Sequence, residues 1–417
     1  MAWRQPAVSA ATVRNMEYLK AGLGAYCLGS LVVAAGMALG WTVMEPSWGP
    51  HSPPHTAATG NAVADTLTLW DGQWYLEIAE IGYDYNPGGM SSVAFFPAYP
   101  TLIQVVSSLT RLPVVWAALL VSHGLLLATY VLLFAYVRRR FPQAPARLPI
   151  CVLLALALFP PTLFMRMAYS ESTFLLLTVL AMFGMERNWR VWHIAAIVGL
   201  ATATRLTGIA LLPPLALYAW NRSGSARRTA AALAVAVPLA LSGLAAFVLY
   251  QQWAFGEPWA FVKTQDFWRH RVPEDPGDKI LGLASWEPLW LAYVPGSPGY
   301  ARLLDDPAPA VLSLQFANPV FFSVAAVLVV AGAWKGWLSR PEVLLAAGLI
   351  LIPYTAKGFE MCMASQGRFV AGTFPIYIVM GNLLSRLPRP FATAILTLFG
   401  GYLAVYSAML AAGFVLI

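Results

Sequence analysis

The run "AGLGAYCLGSLVVAAGMALGWTV", residues 21–43, contains no charged residue and is long enough to cross a bilayer as one helix. It lies too far from the start of the chain, and is too long, for a cleaved signal peptide, so we expect a retained first helix. Similar runs recur along the whole chain, which is 59% hydrophobic and only 11% charged. Soluble domains carry about 25% charged residues. The sequence therefore predicts an integral membrane protein with one membrane-embedded domain, residues 1–417, and excludes a large soluble domain.

Hydropathy predicts an all-α bundle of eleven membrane segments. Residues 191–220 are predicted to form a hairpin of two short helices that turns at Thr204–Gly208, because one straight helix would be about 45 Å long and would bury Arg205 in the bilayer. Residues 95–110 are too short beyond their prolines to span, so we expect an interfacial or re-entrant helix. The other nine segments lie near residues 21–43, 113–137, 148–165, 172–186, 229–251, 311–333, 341–356, 369–385 and 391–415.

Basic residues identify the cytoplasmic loops by the positive-inside rule. The net charge is +7, and no basic tract is long enough to indicate nucleic-acid binding. We expect the N-terminus inside, the C-terminus outside, and two long outer loops at residues 44–112 and 252–310. The predicted cytoplasmic segments hold three of the 19 acidic residues and 16 of the 26 basic residues, namely Arg4, Arg14, Lys20, Arg138, Arg139, Arg140, Arg147, Arg187, Arg190, Arg222, Arg227, Arg228, Lys335, Arg340, Arg386 and Arg389.

The first outer loop contains the polar and aromatic stretch "LTLWDGQWYLEIAEIGYDY", residues 67–85. Its pattern predicts a short amphipathic helix on the membrane surface that starts at Asp71. Asp71 is then either an N-cap or a functional carboxylate, and the aromatic residues are either an interfacial belt or part of a site. The polar face holds Gln73, Glu77, Glu80 and Asp84, and the apolar face holds Trp74, Ile78 and Ile81.

Five stretches, in order along the chain, resemble the signatures of the PIG-V type mannosyltransferase family. They cover Trp70 to Ile378, and the rest of the chain matches by hydropathy only. The first loop contributes "WDGQWYLEIAEIGYDY" (70–85) and "AFFPAYP" (94–100). The others are "AYSESTFLLLT" (168–178), "GLATATRLTG" (199–208), "FGEPWAFVKTQDFW" (255–268) and "GRFVAGTFPIYI" (367–378).

The resemblance implies a GT-C glycosyltransferase that moves mannose from a polyprenyl-phosphate-mannose donor to a glycolipid or glycan acceptor on the non-cytoplasmic face, as in a GPI-anchor-like pathway. A sugar hydroxyl needs a positioned base, and a phosphate leaving group needs positive charge. On the matched motifs we expect Asp71 to be the base of an inverting transfer. The donor phosphate is expected to bind Arg205, Arg368 and Arg166, and the substrates to contact Trp70, Tyr75, Glu171, Gln265 and Trp268.

Several of these residues also have structural interpretations. Arg205 could be a snorkelling arginine at a helix end. Glu171 could form a structural ion pair with Arg166, one helical turn away. The tryptophans of the second outer loop could be belt residues.

Two other functions stay open: transfer of a different polyprenyl-phosphate sugar, and transport of a lipid-linked sugar. A transporter should place its polar residues near mid-membrane, often in repeated halves, whereas these ionisable residues lie at one face. No metal-binding motif is present, although Asp71 and a donor phosphate together could bind a divalent cation. Cys27, Cys151 and Cys362 show no zinc or disulfide spacing. The alanine-rich chain with short loops favours a bacterial cytoplasmic membrane over the endoplasmic reticulum.

Overall fold

The computed structural model describes residues 10–45, 59–300, 310–414 and 416, and the side chains from residue 15 onward. Within these ranges all regular structure is helical. Arg4, the side chain of Arg14 and parts of both predicted outer loops, 46–58 and 301–309, fall outside what is described. The helices are α1 Ala10–Val43, α2 Ala62–Leu67, α3 Asp71–Ile81, α4 Ala98–Thr110, α5 Val114–Arg140, α6 Arg147–Leu158, α7 Glu171–Glu186, α8 Val191–Thr204, α9 Leu212–Ser223, α10 Ala226–Phe255, α11 Ala260–Lys263, α12 Pro276–Ala284, α13 Glu287–Leu291, α14 Leu314–Trp334, α15 Arg340–Pro353, α16 Gln366–Ala371, α17 Pro375–Arg386 and α18 Arg389–Ala411.

Five of the described helices, α1, α5, α10, α14 and α18, are long and apolar enough to cross a membrane. A sixth span results if α6 is joined to the 3₁₀ turn Pro160–Arg166, which bends away from it by 78°. Two consecutive prolines, Pro160 and Pro161, interrupt the helical hydrogen bonds there. The protein is thus a helical membrane protein, while the count of eleven segments stays a prediction because α7, α8, α9, α15 and α17 are short.

The hairpin predicted at residues 191–220 is confirmed. Helix α8 ends at Thr204, a 3₁₀ turn follows at Leu206–Leu211, and α9 returns. At the far end, the guanidinium of Arg222 donates to the carbonyl of Asn188 at 2.8 Å. The two basic flanks therefore lie side by side. The turn requires glycine at position 208, since a Cβ there would lie 2.6 Å from the backbone of Ala201.

Residues of four predicted cytoplasmic segments gather at one end of the bundle. Arg140 lies 3.5 Å from Glu342 and 3.9 Å from Glu186. At the same end, Arg147 donates to the carbonyl of Leu387 at 3.0 Å. Helix α7 has Glu186 at this end and Glu171 at the other, about 22 Å away at 1.5 Å per residue. Glu171 therefore lies at the end of α7 that is opposite to this basic cluster.

The first outer loop forms the predicted helix at Asp71, but its details differ from the prediction. Trp70 occupies the N-cap position and Asp71 is the first helical residue, so the interpretation of Asp71 as the N-cap is wrong. Ile81, predicted on the apolar face of this helix, is 79% exposed and is the last residue of α3 before Gly82. The buried side of α3 instead carries Gly72, Tyr75, Leu76, Ile78 and Ala79, which pack among neighbouring helices.

Because the basic cluster and Glu171 lie at opposite ends of α7, we expect cysteines introduced at the two ends of the bundle to be accessible from opposite sides of the membrane. In a background without the three native cysteines, Ser225→Cys should react with a membrane-impermeant maleimide only from the cytoplasmic side, and Glu274→Cys only from the other. Ser225 precedes α10 at the basic end, and Glu274 is an exposed residue of the second outer loop. Labelling of both positions from the same side would contradict the topology.

Candidate active site

Four charged side chains from four distant parts of the chain form one network. Asp71 begins α3, Glu171 begins α7, Arg205 follows α8, and Arg368 lies in α16. Nη1 of Arg368 lies 2.5 Å from Oδ2 of Asp71. Nη1 of Arg205 lies 2.6 Å from Oε1 of Glu171, and Nε of Arg368 binds the same oxygen. Glu171 thus links both guanidinium groups, and Arg368 links both carboxylates.

The members of this network differ in their access to solvent. The Glu171 side chain is 4% exposed, compared with 11% for Arg368 and 15% for Arg205. The Asp71 side chain is 30% exposed. Asp71 is therefore the carboxylate that a substrate can reach, while Glu171 is a buried counter-charge. A pocket lined by Glu171, Arg205, Arg368 and Phe369 opens against the network.

The segment before α7 is tied directly to the first outer loop. The amide of Ala168 donates to the carbonyl of Leu67 at 2.8 Å, and the hydroxyl of Tyr169 donates to the carbonyl of Leu69 at 3.1 Å. The hydroxyl of Tyr75 donates to Oγ of Ser170 at 2.8 Å. These bonds hold the start of α3 beside the start of α7, which is what brings the two carboxylates to one site.

Tyr75 is buried beside the network, where it is bonded to Ser170. Its side chain is 4% exposed, and its ring packs edge-on against Phe95 and Tyr99. Burial raises the pKa of Tyr75 to about 12, so its hydroxyl stays protonated as a donor to Ser170. The structure thus places Tyr75 as a support of the site, and its substrate contact stays a prediction.

Trp70 has a strained backbone beside the network, with φ 59° and ψ −119°. A bulky residue at positive φ is uncommon, and such strain concentrates at functional sites. Three buried polar atoms near the start of α3 and α7 have no hydrogen-bond partner among the described residues: Nε1 of Trp70, Oε1 of Gln73 and Oε2 of Glu171. Buried polar groups are usually paired, so these atoms suit the hydroxyls of a bound sugar. The sequence analysis placed Gln73 on the polar face of this helix but did not predict it as a site residue.

Arg166, the third predicted phosphate ligand, points away from the network. Its guanidinium donates to the carbonyls of Thr162 at 3.1 Å and Ala157 at 3.3 Å, and its side chain approaches Ser30 on α1. The alternative interpretation of Glu171 as the ion-pair partner of Arg166 is wrong, because Arg166 turns toward α1 and Glu171 binds two other arginines. Phosphate binding by Arg166 stays a prediction that this geometry does not favour.

The second outer loop reaches the first loop through aromatic contacts. The Trp268 ring lies edge-on to Trp74 and to Phe95, with centroids 6.4 Å apart in both cases. Gln265 belongs to the same 3₁₀ turn, Thr264–Trp268, and is half-buried. The structure therefore brings Trp268 next to α3, and the role of Gln265 stays a prediction.

Sequence reasoning missed one further cation, Lys357, which follows α15 and interacts electrostatically with Asp71. The only sequence signal was a lysine just beyond a predicted span. Within the described part of the chain, no three His, Cys, Asp or Glu side chains are grouped to hold a metal ion.

Together, the fold and this network define a helical membrane protein with a charged, partly open site at one end of α7. The chain belongs to the family "Mannosyltransferase (PIG-V)", whose sequence profile matches residues 44–255, about half of the chain. Asp71, Glu171 and Arg205 lie inside the matched region, and Arg368 lies beyond it.

Among curated proteins, the chain is similar to GPI alpha-1,6-mannosyltransferase 2 of Rattus norvegicus, with 27% identity over 337 residues. That match covers 72% of this chain and 64% of the rat protein, so the chain spans less than two thirds of this relative. The human protein of the same name is 32% identical over 171 residues, covering 38% of this chain and 34% of its own length. These mammalian relatives lend no support to the predicted bacterial membrane.

Among solved structures, the apo oligosaccharyltransferase of Archaeoglobus fulgidus matches with a TM-score of 0.45 and 12% identity. The match covers 95% of this chain and 56% of that one.

Proposed function

We propose that this protein transfers a mannosyl group from a polyprenyl-phosphate-mannose donor to a hydroxyl of a glycolipid or glycan acceptor, on the non-cytoplasmic face of the membrane. The observation that carries the proposal is the partly exposed carboxylate of Asp71 beside the less exposed guanidinium groups of Arg368 and Arg205. Family membership supports mannosyl transfer, and the names of the mammalian relatives support a glycolipid acceptor and an α-linked product. We also propose that the protein has the GT-C architecture of membrane glycosyltransferases.

In the proposed step, the acceptor hydroxyl attacks the anomeric carbon of the donor. A bond forms between the acceptor oxygen and that carbon, and the bond from the carbon to the phosphate oxygen breaks. The acceptor proton passes to the carboxylate of Asp71, which acts as general base. The polyprenyl phosphate leaves as an anion, which nearby cations stabilise as its charge develops.

The geometry favours a single inverting displacement. A retaining double displacement needs a second carboxylate that can reach the anomeric carbon. Glu171 is the other carboxylate of the network, and it is 4% exposed and bound by two guanidinium groups. With Asp71 as base, a β-linked mannosyl phosphate would give an α-mannoside.

The proposal is tested by incubating the purified protein with polyprenyl-phosphate-mannose and native lipids. Mass spectrometry should detect a new glycolipid heavier by one hexose, and a linkage-specific α-mannosidase should remove that sugar. Donors carrying glucose or arabinose should give less product. If no donor gives a product, and the protein instead moves the lipid-linked sugar across the membrane of reconstituted vesicles, the result would support a transporter.

Arg205→Ala is expected to weaken donor binding by about tenfold or more, because a hydrogen bond to a charged group is lost. Arg205→Lys should restore part of the affinity, since the charge returns without the planar fork. The measurement is equilibrium binding of labelled donor to protein in lipid nanodiscs. The matched control is Arg228→Ala, an exposed arginine near the start of α10. Unchanged affinity in Arg205→Ala would remove Arg205 from the donor site.

A further inference from the structure

A single π-helical turn, Tyr354–Gly358, follows α15 and carries Lys357. Single π turns inside membrane or soluble helices occur often at functional sites. The chain beyond it is also irregular, because Cys362, Met363 and Ser365 have φ angles of 48°, 66° and 63°. Such backbone persists only where the surroundings hold it. The π turn is therefore a segment whose shape is imposed by tertiary contacts.

Lys357 is half-buried in the π turn that follows α15. Burial lowers the pKa of its ammonium group to about 8. The carboxylate of Asp71 raises this pKa, Arg368 and Arg205 lower it, and Glu360 raises it. Pro353, the residue directly before the π turn, lines the same pocket as Glu171, Arg205 and Arg368, so the turn that carries Lys357 lies beside the network.

The charges at the site are not balanced. Glu171 and Asp71 are bound by Arg205 and Arg368. Of the ion pairs that the described residues form, none includes the ammonium of Lys357. A half-buried cation without a paired anion is costly, and an anionic ligand would offset that cost. Lysine is also a common phosphate ligand.

We propose that Lys357 binds the phosphate of the lipid-linked donor, and that the second outer loop holds it in place through Glu360. This inference rests on the function proposed above. Among the described cations at the site, Lys357 is the one that forms no ion pair, while the two arginines also serve as partners of Glu171 and Asp71.

The second outer loop holds Glu360 by both its side chain and its backbone. The carboxylate of Glu360 accepts from Lys279 at 2.8 Å and from Arg269 at 3.1 Å. Its carbonyl accepts from the amides of His270 and Arg271, each at 2.9 Å. Glu360 follows Lys357 by three residues, so these contacts fix the chain directly after it.

The loop also contacts the beginning of the π turn. The hydroxyl of Tyr354 donates to the carbonyl of Leu283 in α12 at 3.0 Å. The Trp286 ring stacks on Tyr354, with centroids 5.3 Å apart. The second outer loop thus contacts the chain on both sides of Lys357. We therefore expect that this loop must be ordered for Lys357 to stay at the site.

The test is equilibrium binding of labelled polyprenyl-phosphate-mannose in nanodiscs, from about pH 6.5 to about pH 9.5, around the Lys357 pKa of about 8. The donor phosphodiester keeps its charge over this range. Tyr75, with a pKa of about 12, stays neutral. Because the Lys357 cation is present below its pKa and lost above it, wild-type affinity should fall as pH rises through about 8 or somewhat higher, since a bound phosphate stabilises the charged form.

Lys357→Gln should bind the donor about tenfold or more weakly at neutral pH, with no fall at higher pH. Lys357→Arg should keep much of the affinity and lose the fall, because a guanidinium stays charged. Lys335→Gln, at the end of α14, is the matched control and should behave as wild type. If Lys357→Gln does not fold, the pH profile of Lys357→Arg still decides the outcome.

Glu360→Gln tests the role of the loop and should weaken donor binding several-fold, with little change in the turnover of the bound donor. Wild-type affinity in Glu360→Gln would overturn the positioning role. Wild-type binding with an unchanged pH profile in the Lys357 variants would overturn the phosphate assignment. If the wild-type protein itself binds no donor at any pH, the proposed function fails and not this assignment alone.

Discussion

Asp71→Asn is expected to lower the turnover of polyprenyl-phosphate-mannose by about 10²-fold or more. Asparagine has nearly the same size and can still accept a hydrogen bond from Arg368, but it cannot take the proton of the acceptor hydroxyl. Arg368 also keeps its bond to Glu171, so the network loses one carboxylate and not its buried centre. The variant should therefore fold and bind the donor like the wild type.

Initial rates of glycolipid formation, donor affinity and thermal stability should be measured on the same preparation. Glu80→Gln is the matched control, because Glu80 is an exposed carboxylate on the same helix, α3. A folded Asp71→Asn protein with nearly wild-type activity would mean that the base lies elsewhere, with Glu171 the next candidate. A β-linked product would overturn the single displacement whatever the effect of Asp71→Asn.

Glu171→Gln should give a different pattern, in which stability and activity fall together. Glu171 is the shared partner of Arg205 and Arg368, and its side chain is 4% exposed. Removing one partner from a buried pair costs about 3–5 kcal/mol. Because glutamine keeps an acceptor and the arginines retain some exposure, we expect a loss near the lower end, about 3 kcal/mol.

The measurement is the apparent melting temperature in detergent, together with the transfer rate. Glu257→Gln is the control, since Glu257 pairs with Lys263, whose side chain is 60% exposed. Exposed ion pairs contribute little to stability, so this variant should melt like the wild type. A Glu171→Gln protein with unchanged melting temperature would show that Glu171 is not the stabilising counter-charge of the two arginines.

Hydropathy, loop charge and helical periodicity, which are local properties of the chain, predicted part of the architecture correctly, and the count of eleven membrane segments stays a prediction. They indicated a helical membrane protein, the helix that begins at Asp71 and the hairpin at residues 191–220. The hairpin could be predicted because Arg205 is costly inside a bilayer and both flanks are basic. Hydropathy did not predict the break at Pro160–Pro161, because the segments before and after it are both apolar and together looked like one span.

The composition of the candidate site is a different matter. Motif resemblance named Asp71, Glu171, Arg205 and Arg368, but it could not say which charge binds which. Arg166 carries the same charge as Arg368 and stands closer to Glu171 in sequence, yet it turns toward α1.

Sequence alone therefore determined the class of protein, the five long apolar helices and the hairpin at residues 191–220. Only the tertiary structure decided the pairs, because Asp71 and Arg368 are 297 residues apart. It also placed Lys357 near them. Helical periodicity gives information only on neighbours within about one turn of the same helix. An ion pair between distant residues depends instead on how separate helices pack. It also depends on the direction in which a side chain points after a break in its helix.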